Sequence, residues 1–382
     1  MYLRTTNLVT IVFLVLMMIS CGNIGNKKAG TIILRPIQHI PSSGPGDIEV
    51  FNINSDVYLA LSNHYNDSTY DTDSKIYKWV EGQFLEFQSI PTSGGWDWEA
   101  FAIDTINYLA VANYRHDTNF DTETKIYQWA NDKFNEIQAI PTKGGEDCEF
   151  FTIDSDKYLA IVNAFDGRTH LLNSGIYKWD GAKFNEFQSI PTSWATDWAE
   201  FKIDSMNFLA IANHGNDSTS NVQSYIYQWD GNQFAEFQSI PTHGATDWEY
   251  FSDGSNHYLA VANHREDYNF NSISKIYKWN GKEFEEIQSI ETNGVVDLET
   301  FVVNSTLYMA VANHFNGATR NVSSKIYKWD GSQFVEVLKV PTSGATDWKV
   351  FNIGGDTYLA AANNHNDITH NIISIIYKVE IF

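Results

Sequence analysis

The stretch FAEFQSIPTHGATDWEYF, residues 234–251, decides the fold, because close copies of it recur about every fifty residues along the chain. YLAVAN at 258–263 and SKIYKW at 274–279 complete one copy of the repeat. Tyr-Leu-Ala or a near variant occurs seven times, beginning at Tyr58, Tyr108, Tyr158, Phe208, Tyr258, Tyr308 and Tyr358. Periods of this size are typical of propellers, solenoids and other repeat arrays.

Each repeat contains four short segments that favour β-strands. In the second repeat they are residues 97–103, 108–113, 125–129 and 134–140, which are rich in aromatic and β-branched residues. The second segment is apolar at consecutive positions, so both of its faces must be covered. A propeller covers them, because each blade packs against its two neighbours around a central channel.

The two chain ends predict how such a ring closes. The last repeat stops at Phe382 after its third segment, and residues 34–40 form a spare copy of the fourth segment. We therefore expect an all-β, seven-bladed propeller with four strands per blade, in which the N-terminal strand completes the last blade. Closure of this kind also hides a sheet edge that would otherwise be exposed.

These motifs resemble the EAR repeat, also called EPTP, and the resemblance extends over residues 31–382. It implies a seven-bladed propeller that binds extracellular proteins and has no enzymatic activity. The sequence adds no catalytic motif, since most candidate groups are repeated around the ring, whereas catalysis usually needs an asymmetric set of groups.

The N-terminus is typical of an exported bacterial lipoprotein. Residues 1–20 carry Arg4 and then a short apolar run, as in a signal peptide, and Met18-Ile19-Ser20-Cys21-Gly22 resembles a lipobox. We predict lipid attachment at Cys21 and a polar tether over residues 21–30, which places the protein at the cell envelope, on the outer membrane or the cell surface. An ordinary cleaved signal peptide is the alternative.

The charge balance restricts the partners. With 25 basic and 47 acidic residues and a net charge of −22, the chain disfavours nucleic acid. We expect a monomer, and a propeller that engages an extracellular or periplasmic protein through an acidic surface. The alternative is a multivalent lectin whose near-identical blades bind several glycans.

A binding surface is expected where two sets of loops emerge together. The loop from the fourth strand to the next blade, as in residues 91–96, and the loop between the second and third strands, as in residues 63–74, share one face of the propeller, called here the loop face. Trp96 and Trp194 each occur singly in such loops, and aromatic residues of this kind are enriched among binding anchors. The predicted partner-binding residues are Trp96, Trp194, Asp67, Asp117, Asp217 and Asp267.

An aspartate opens the innermost strand of every repeat. The seven are Asp47, Asp97, Asp147, Asp197, Asp247, Asp297 and Asp347. One interpretation is that each accepts backbone N–H groups and fixes its loop. The other is that a subset converges on calcium in the central channel, since calcium takes six to eight hard oxygen ligands.

Overall fold

The computed structural model describes residues 30–382, and within that range every regular element is a β-strand. Twenty-eight strands form seven antiparallel four-stranded sheets, which are the blades of a propeller. No helix in residues 30–382 is long and apolar enough to cross a membrane. The signal peptide, Cys21 and nearly all of the tether lie outside the described residues.

Strand order is the same in every blade and places the first strand of each repeat innermost. The innermost strands are β2 (Ile48–Ile53), β6 (Gly95–Ile103), β10 (Cys148–Ile153), β14 (Ala195–Ile203), β18 (Ala245–Ser252), β22 (Val295–Val303) and β26 (Ala345–Ile353). The second strands are β3 (Asp56–Leu61), β7 (Ile106–Asn113), β11 (Asp156–Ile161), β15 (Met206–Asn213), β19 (His257–Asn263), β23 (Thr306–Asn313) and β27 (Asp356–Asn363).

The third and fourth strands form the outer half of each blade. The third strands are β4 (Asp71–Val80), β8 (Asp121–Trp129), β12 (Leu171–Trp179), β16 (Asn221–Trp229), β20 (Asn271–Trp279), β24 (Ser323–Trp329) and β28 (Asn371–Ile381). The outermost are β5 (Gln83–Ser93), β9 (Phe134–Lys143), β13 (Phe184–Ser193), β17 (Phe234–His243), β21 (Phe284–Asn293), β25 (Phe334–Pro341) and β1 (Ile32–Ser43).

The core lies between blades, as the apolar second strands predict. Leu109, Ala110 and Val111 on β7 are fully buried. Trp98 on β6 packs in one cluster with Tyr58 of the preceding blade. Burial of a Leu or Val side chain stabilises the fold by about 1.5–3 kcal/mol, so these seven interfaces dominate stability.

On six of the seven outer strands, a glutamine joins its own blade to the next one by two hydrogen bonds. Gln88 Nε2 donates to the Phe134 carbonyl at 2.9 Å, and Phe134 N–H donates to Gln88 Oε1 at 2.9 Å. The same pair of bonds is made by Gln38, Gln138, Gln188, Gln238 and Gln288. The seventh equivalent residue, Leu338, instead packs in a cluster that includes Leu34 of β1.

The ring closes as predicted, since β1 is the outermost strand of the last blade. It pairs antiparallel with β28 from Ile32 opposite Ile381 to Ser43 opposite Asn371. Gln38 on β1 then joins this completed blade to Phe84 of the first blade, with both hydrogen bonds at 2.7 Å. The N-terminal strand is therefore an integral part of the ring.

Candidate functional site

The two sets of loops on the loop face are fastened to each other by an asparagine that lies at the end of each second strand or two residues beyond it. Asn113 Oδ1 accepts the Ser93 N–H at 2.9 Å, and its Nδ2 donates to the Glu123 carbonyl at 2.8 Å. All seven repeats contain this clamp, at Asn63, Asn113, Asn163, Asn213, Asn263, Asn313 and Asn363. The repeated framework therefore positions the blade-specific side chains that the loops carry.

The aspartates predicted to bind a partner also connect neighbouring loops. Asp117 accepts the Thr69 hydroxyl at 2.8 Å and the Tyr70 N–H at 2.7 Å, both from the preceding blade. Asp67, Asp217, Asp267 and Asp367 make the equivalent bonds. Hydrogen bonding from the Tyr70 N–H and the Thr69 hydroxyl lowers the pKa of Asp117. These aspartates have a structural role, and their contact with a partner stays a prediction.

The seven inner aspartates form a second ring of contacts, around the channel. Each carboxylate accepts a backbone N–H from the inner strand of the following blade, at 2.8–3.1 Å. The pairs are Asp47 with Trp98, Asp97 with Cys148, Asp147 with Trp198, Asp197 with Trp248, Asp247 with Leu298, Asp297 with Trp348 and Asp347 with Ile48. This is the structural interpretation of the repeated aspartate, with the difference that the bond joins two blades.

The calcium prediction gains no support from this geometry. Among residues 30–382, no three His, Cys, Asp or Glu side chains are grouped so as to hold a metal ion. Burial instead raises the pKa of the channel carboxyls, to about 6 for Asp97 and about 8 for Asp197. Protonation thus offers these like-charged groups a way to coexist without a cation.

A second tier of the channel carries acidic side chains and one lysine. Glu49, Glu99, Glu149, Glu249 and Glu299 occupy equivalent positions on their inner strands, and Ala199 and Lys349 replace glutamate in the other two. Lys349 Nζ lies 2.5 Å from a Glu49 carboxylate oxygen. Burial raises the pKa of Glu299 to about 7, although Lys349 opposes the shift.

A central pocket of about 390 Å³ opens on the loop face, and both predicted tryptophans line it. Trp194 has a φ of 44°, where the other six repeats have glycine. The left-handed conformation costs a non-glycine residue about 1–2 kcal/mol. Trp194 is held there by a stack on His170, with ring centroids 4.1 Å apart, and by His214 at 4.5 Å.

Trp96 lies within the same aromatic wall. Its ring centroid is 4.7 Å from that of His64 and 6.2 Å from that of Tyr114. Both tryptophans are half-buried and face the pocket, so the prediction that these two residues belong to one surface agrees with their positions.

The four histidines that follow the clamp asparagines also line this pocket: His64, His214, His264 and His314. Burial lowers the pKa of His64 and His314 to about 3 and that of His264 to about 4, so these rings are neutral near pH 7. His64 Nδ1 and His264 Nδ1 each lie within hydrogen-bond distance of a carbonyl in the following loop, at 3.3 and 3.1 Å.

Three charged residues of the pocket were missed by the sequence reasoning. Glu146 is 8% exposed, and burial raises its pKa to about 8, opposed by a hydrogen bond with the Trp194 side chain. Arg265 and Arg320 line the side formed by later blades. Glu146 and Arg320 each occupy a position that carries other residue types in the other repeats, which is the signal that had identified Trp96 and Trp194. Arg265 shares its position with Arg115 of the second repeat, so that signal does not identify it.

Comparisons with known proteins agree with this architecture. The chain resembles the crystal structure of Sqt1 from Saccharomyces cerevisiae, with a TM-score of 0.55 and 9% identity over 90% of this chain and 99% of that one. It also resembles the N-terminal domain of Nup159, with a TM-score of 0.56 and 8% identity over 92% and 96% of the two chains. At such identities these likenesses show the fold alone.

The sequence itself matches one family model along its whole repeat region. No curated protein matches significantly. The model of the EPTP domain matches seven times, at residues 34–80, 83–130, 133–180, 183–230, 233–280, 283–330 and 333–378. The chain therefore belongs to the EPTP domain family.

Proposed function

We propose that this protein is a lipid-anchored binding module that engages a protein partner through the centre of its loop face. EPTP propellers serve as protein-binding modules, which supports the general function. The specific proposal is based on the positions at which the seven repeats differ. The clamp asparagines and the inner aspartates are identical in all seven blades, whereas the residues just before the inner aspartates are Gly46, Trp96, Glu146, Thr196, Thr246, Val296 and Thr346.

The contrast distinguishes the residues that build the blades from those that are available to recognise a partner. A residue needed only to build a blade is the same in each blade, as Asn113 is, but one needed to contact an asymmetric partner differs from blade to blade. Side chains of the varied set line the central pocket together with both singular tryptophans. Half-buried aromatic side chains in a concave surface are the usual anchors of a protein interface.

Charge on the outer part of the loop face supports the choice of partner. The rim of the first two blades exposes Asp71, Asp73, Asp121 and Glu123 at the starts of their third strands. A partner with a basic surface around its contact site would be steered towards this rim, with an association rate that falls as salt rises.

Crosslinking in intact cells tests the proposed surface. A photoreactive amino acid is placed at exposed loop-face positions Ser68 and Ser218, and at exposed turns of the opposite face, Ala182 and Asn232. One protein captured from both loop-face positions and from neither control position supports the proposal. Capture that is equal on the two faces, or confined to the opposite face, contradicts it.

Two variants taken from the repeat itself then test the tryptophans. Trp194→Gly restores the residue of the other six blades and removes the positive-φ strain, and Trp96→Thr introduces the residue that three blades carry there. Both variants are expected to fold and to lose the crosslinked partner. Capture that persists at wild-type yield in the double variant would exclude the pocket as the contact.

The membrane anchor is proposed from Cys21, which lies outside the described residues. Lipid attached there would hold the propeller at the cell envelope, since acyl chains bury about 0.8 kcal/mol per CH₂ group in a bilayer. Cys21→Ser should abolish palmitate labelling and move the protein from the membrane to the soluble fraction. Unchanged labelling would show that the anchor is elsewhere.

A lectin is the second candidate, because similar polar clefts recur at the blade edges. Three clefts of about 370–630 Å³ are lined by equivalent residues at the starts of third strands and the ends of fourth strands, such as Asp121 and Pro141, Asn271 and Glu291, and Asn321 and Pro341. Among the described residues, none of the three is lined by a Phe, Tyr or Trp ring, which glycan sites commonly use as a platform. Glycan-array binding that is lost on mutation of these clefts would favour the lectin.

A further inference from the structure

Two arginines line one side of the central pocket of an otherwise acidic protein. Arg265 and Arg320 line this side together with His264 and His314, all from the loops of the fifth and sixth blades. The whole chain carries 47 acidic residues against 25 basic ones. Even so, among residues 30–382 no carboxylate oxygen lies within ion-pair distance of either guanidinium.

Aromatic faces hold these guanidiniums in place of carboxylates. Arg265 Cζ lies 5.5 Å from the Trp194 ring centroid, and Arg320 Cζ lies 4.9 Å from that of Phe315. Phe270 connects the two sites, 5.9 Å from Arg265 and 4.8 Å from Phe315. A guanidinium stacked on a ring keeps its N–H edge free to form two parallel bonds with an oxyanion.

Among residues 30–382, two nitrogens of this cluster lack a hydrogen-bond partner, Arg265 Nε and His314 Nδ1. Arg265 Nε is buried and forms no hydrogen bond within the described residues. A buried N–H without an acceptor is costly, and Arg265 lines the pocket, so a ligand oxygen that reached this N–H would recover that cost. Among the described residues, the only carboxyl group in the pocket wall is Glu146, which interacts with the Trp194 side chain rather than with either arginine.

We propose that Arg265 and Arg320 bind a carboxylate that the protein partner inserts into the central pocket, supplied by its C-terminus or by an acidic side chain. This inference rests on the proposed function and adds the chemistry of the inserted group. A carboxylate offers two oxygens in the plane of a guanidinium edge, the bidentate geometry that arginine prefers. The acidic rim and the basic centre would together select a partner whose basic surface surrounds a carboxylate-bearing tip.

Small probes test the site without knowledge of the partner. The full chain is titrated calorimetrically with N-acetyl-phenylalanine, which mimics a C-terminus, with N-acetyl-glutamate α-amide, which mimics a side chain, with N-acetyl-phenylalaninamide and with inorganic phosphate. We expect at least one of the two carboxylates to bind at least tenfold more tightly than the neutral amide and than phosphate. The tighter of the two then identifies the source of the carboxylate.

Variants assign the binding to the two arginines. Arg265→Gln and Arg320→Gln should each weaken carboxylate binding at least tenfold. Arg115→Gln is the matched control, because Arg115 also stacks on two rings, those of Tyr70 and Phe120, but donates to the carbonyls of His116 and Asp117 and does not line the pocket. It should change binding less than twofold. Arg265→Lys, which keeps the charge but lacks the planar fork, should bind with intermediate strength.

Three results would overturn the inference: equal affinity for acid and amide, tighter binding of phosphate than of either carboxylate, or wild-type affinity in both glutamine variants with unchanged urea midpoints. Each leaves the crosslinking test of the loop face intact. Conversely, carboxylate binding at Arg265 and Arg320 without any loop-face crosslink would remove the protein partner and keep the anion site.

Discussion

Replacement of Ile40 by alanine tests whether the N-terminal strand contributes as much to the free energy of unfolding as any other outer strand. Ile40 on β1 is 1% exposed and packs in the cluster that joins the last blade to the first. Ile90 occupies the equivalent place on β5, 2% exposed, between the first and second blades. Because the two environments match, both substitutions should cost the same, about 2–5 kcal/mol for a buried Ile→Ala change.

Urea unfolding followed by circular dichroism measures the two costs. With a denaturant slope of about 3 kcal/mol/M, a loss of about 3 kcal/mol lowers the midpoint by about 1 M. Ile40→Ala and Ile90→Ala should therefore shift the midpoint equally within about 0.3 M, on the same slope. Exposed Ile37, at 38%, supplies a control whose alanine variant should shift it little. A shift for Ile40→Ala below a quarter of that for Ile90→Ala would refute closure of the ring by β1.

Three further predictions concern the contacts between blades. Gln288→Leu should destabilise the protein by about 2 kcal/mol in urea unfolding, because the Phe334 N–H and carbonyl lose their partners. Leu338→Gln adds an amide to the apolar cluster that includes Leu34, so it should not stabilise the protein. Burial raises the pKa of Asp197 to about 8 in the folded state, so its contribution to stability is present at acidic pH and is lost as pH rises towards 8. Asp197→Asn keeps the acceptor for the Trp248 N–H but cannot ionise. This variant should raise the urea midpoint relative to wild type at pH 8 more than at pH 5. Hydrogen bonds lower the pKa of Asp117 and Asp217, so the stability that these carboxylates contribute is present above pH 4 and lost in acid. Amide exchange in residues 69–70 and 169–170, corrected for intrinsic rates, should therefore accelerate as pH falls below 4. Asp117→Asn should abolish this change at residues 69–70 only.

The fold was predictable from sequence because the repeat encodes it several times over. The period indicated a repeat array, the continuous apolar run of the second strand required that both faces of each sheet be covered, and the spare copy of the fourth strand predicted a closed ring. β1 pairs with β28 as predicted. The strand cores were located correctly, although several strands extend further, as β8 does in beginning at Asp121. Those extensions lie at the loop-face ends of the strands, where polar residues interrupt the apolar pattern that predicts a strand.

The candidate site was predictable only where one residue departed from the repeat in an obvious way. Trp96 and Trp194 stood out because their size differs so much from that of glycine or threonine, and the structure brings both to one pocket. Glu146 and Arg320 did not stand out, since acidic and basic residues are common in surface loops. Their importance depends on burial and on facing the same cavity, which arises from seven loops converging across separations of fifty residues or more.

The inner aspartates were easy to find in the sequence, but their hydrogen-bond partners were not. Their repetition signalled a shared role, but it did not reveal that each carboxylate reaches the next blade, as Asp47 reaches Trp98. Sequence spacing gives the position of a side chain along its own strand. The partner across a blade interface depends on the twist and tilt of both sheets, which the spacing does not contain.

The claim that the centre of the loop face is the binding site is tested most directly by counting bound partners. Native mass spectrometry of the propeller with its crosslink-identified partner, titrated to saturation, should give one partner per chain, because one asymmetric pocket accepts one insertion. The combined Trp96→Thr and Trp194→Gly variant should give none. Two or more equivalent partners per chain, or a single partner retained by that variant, would contradict the account.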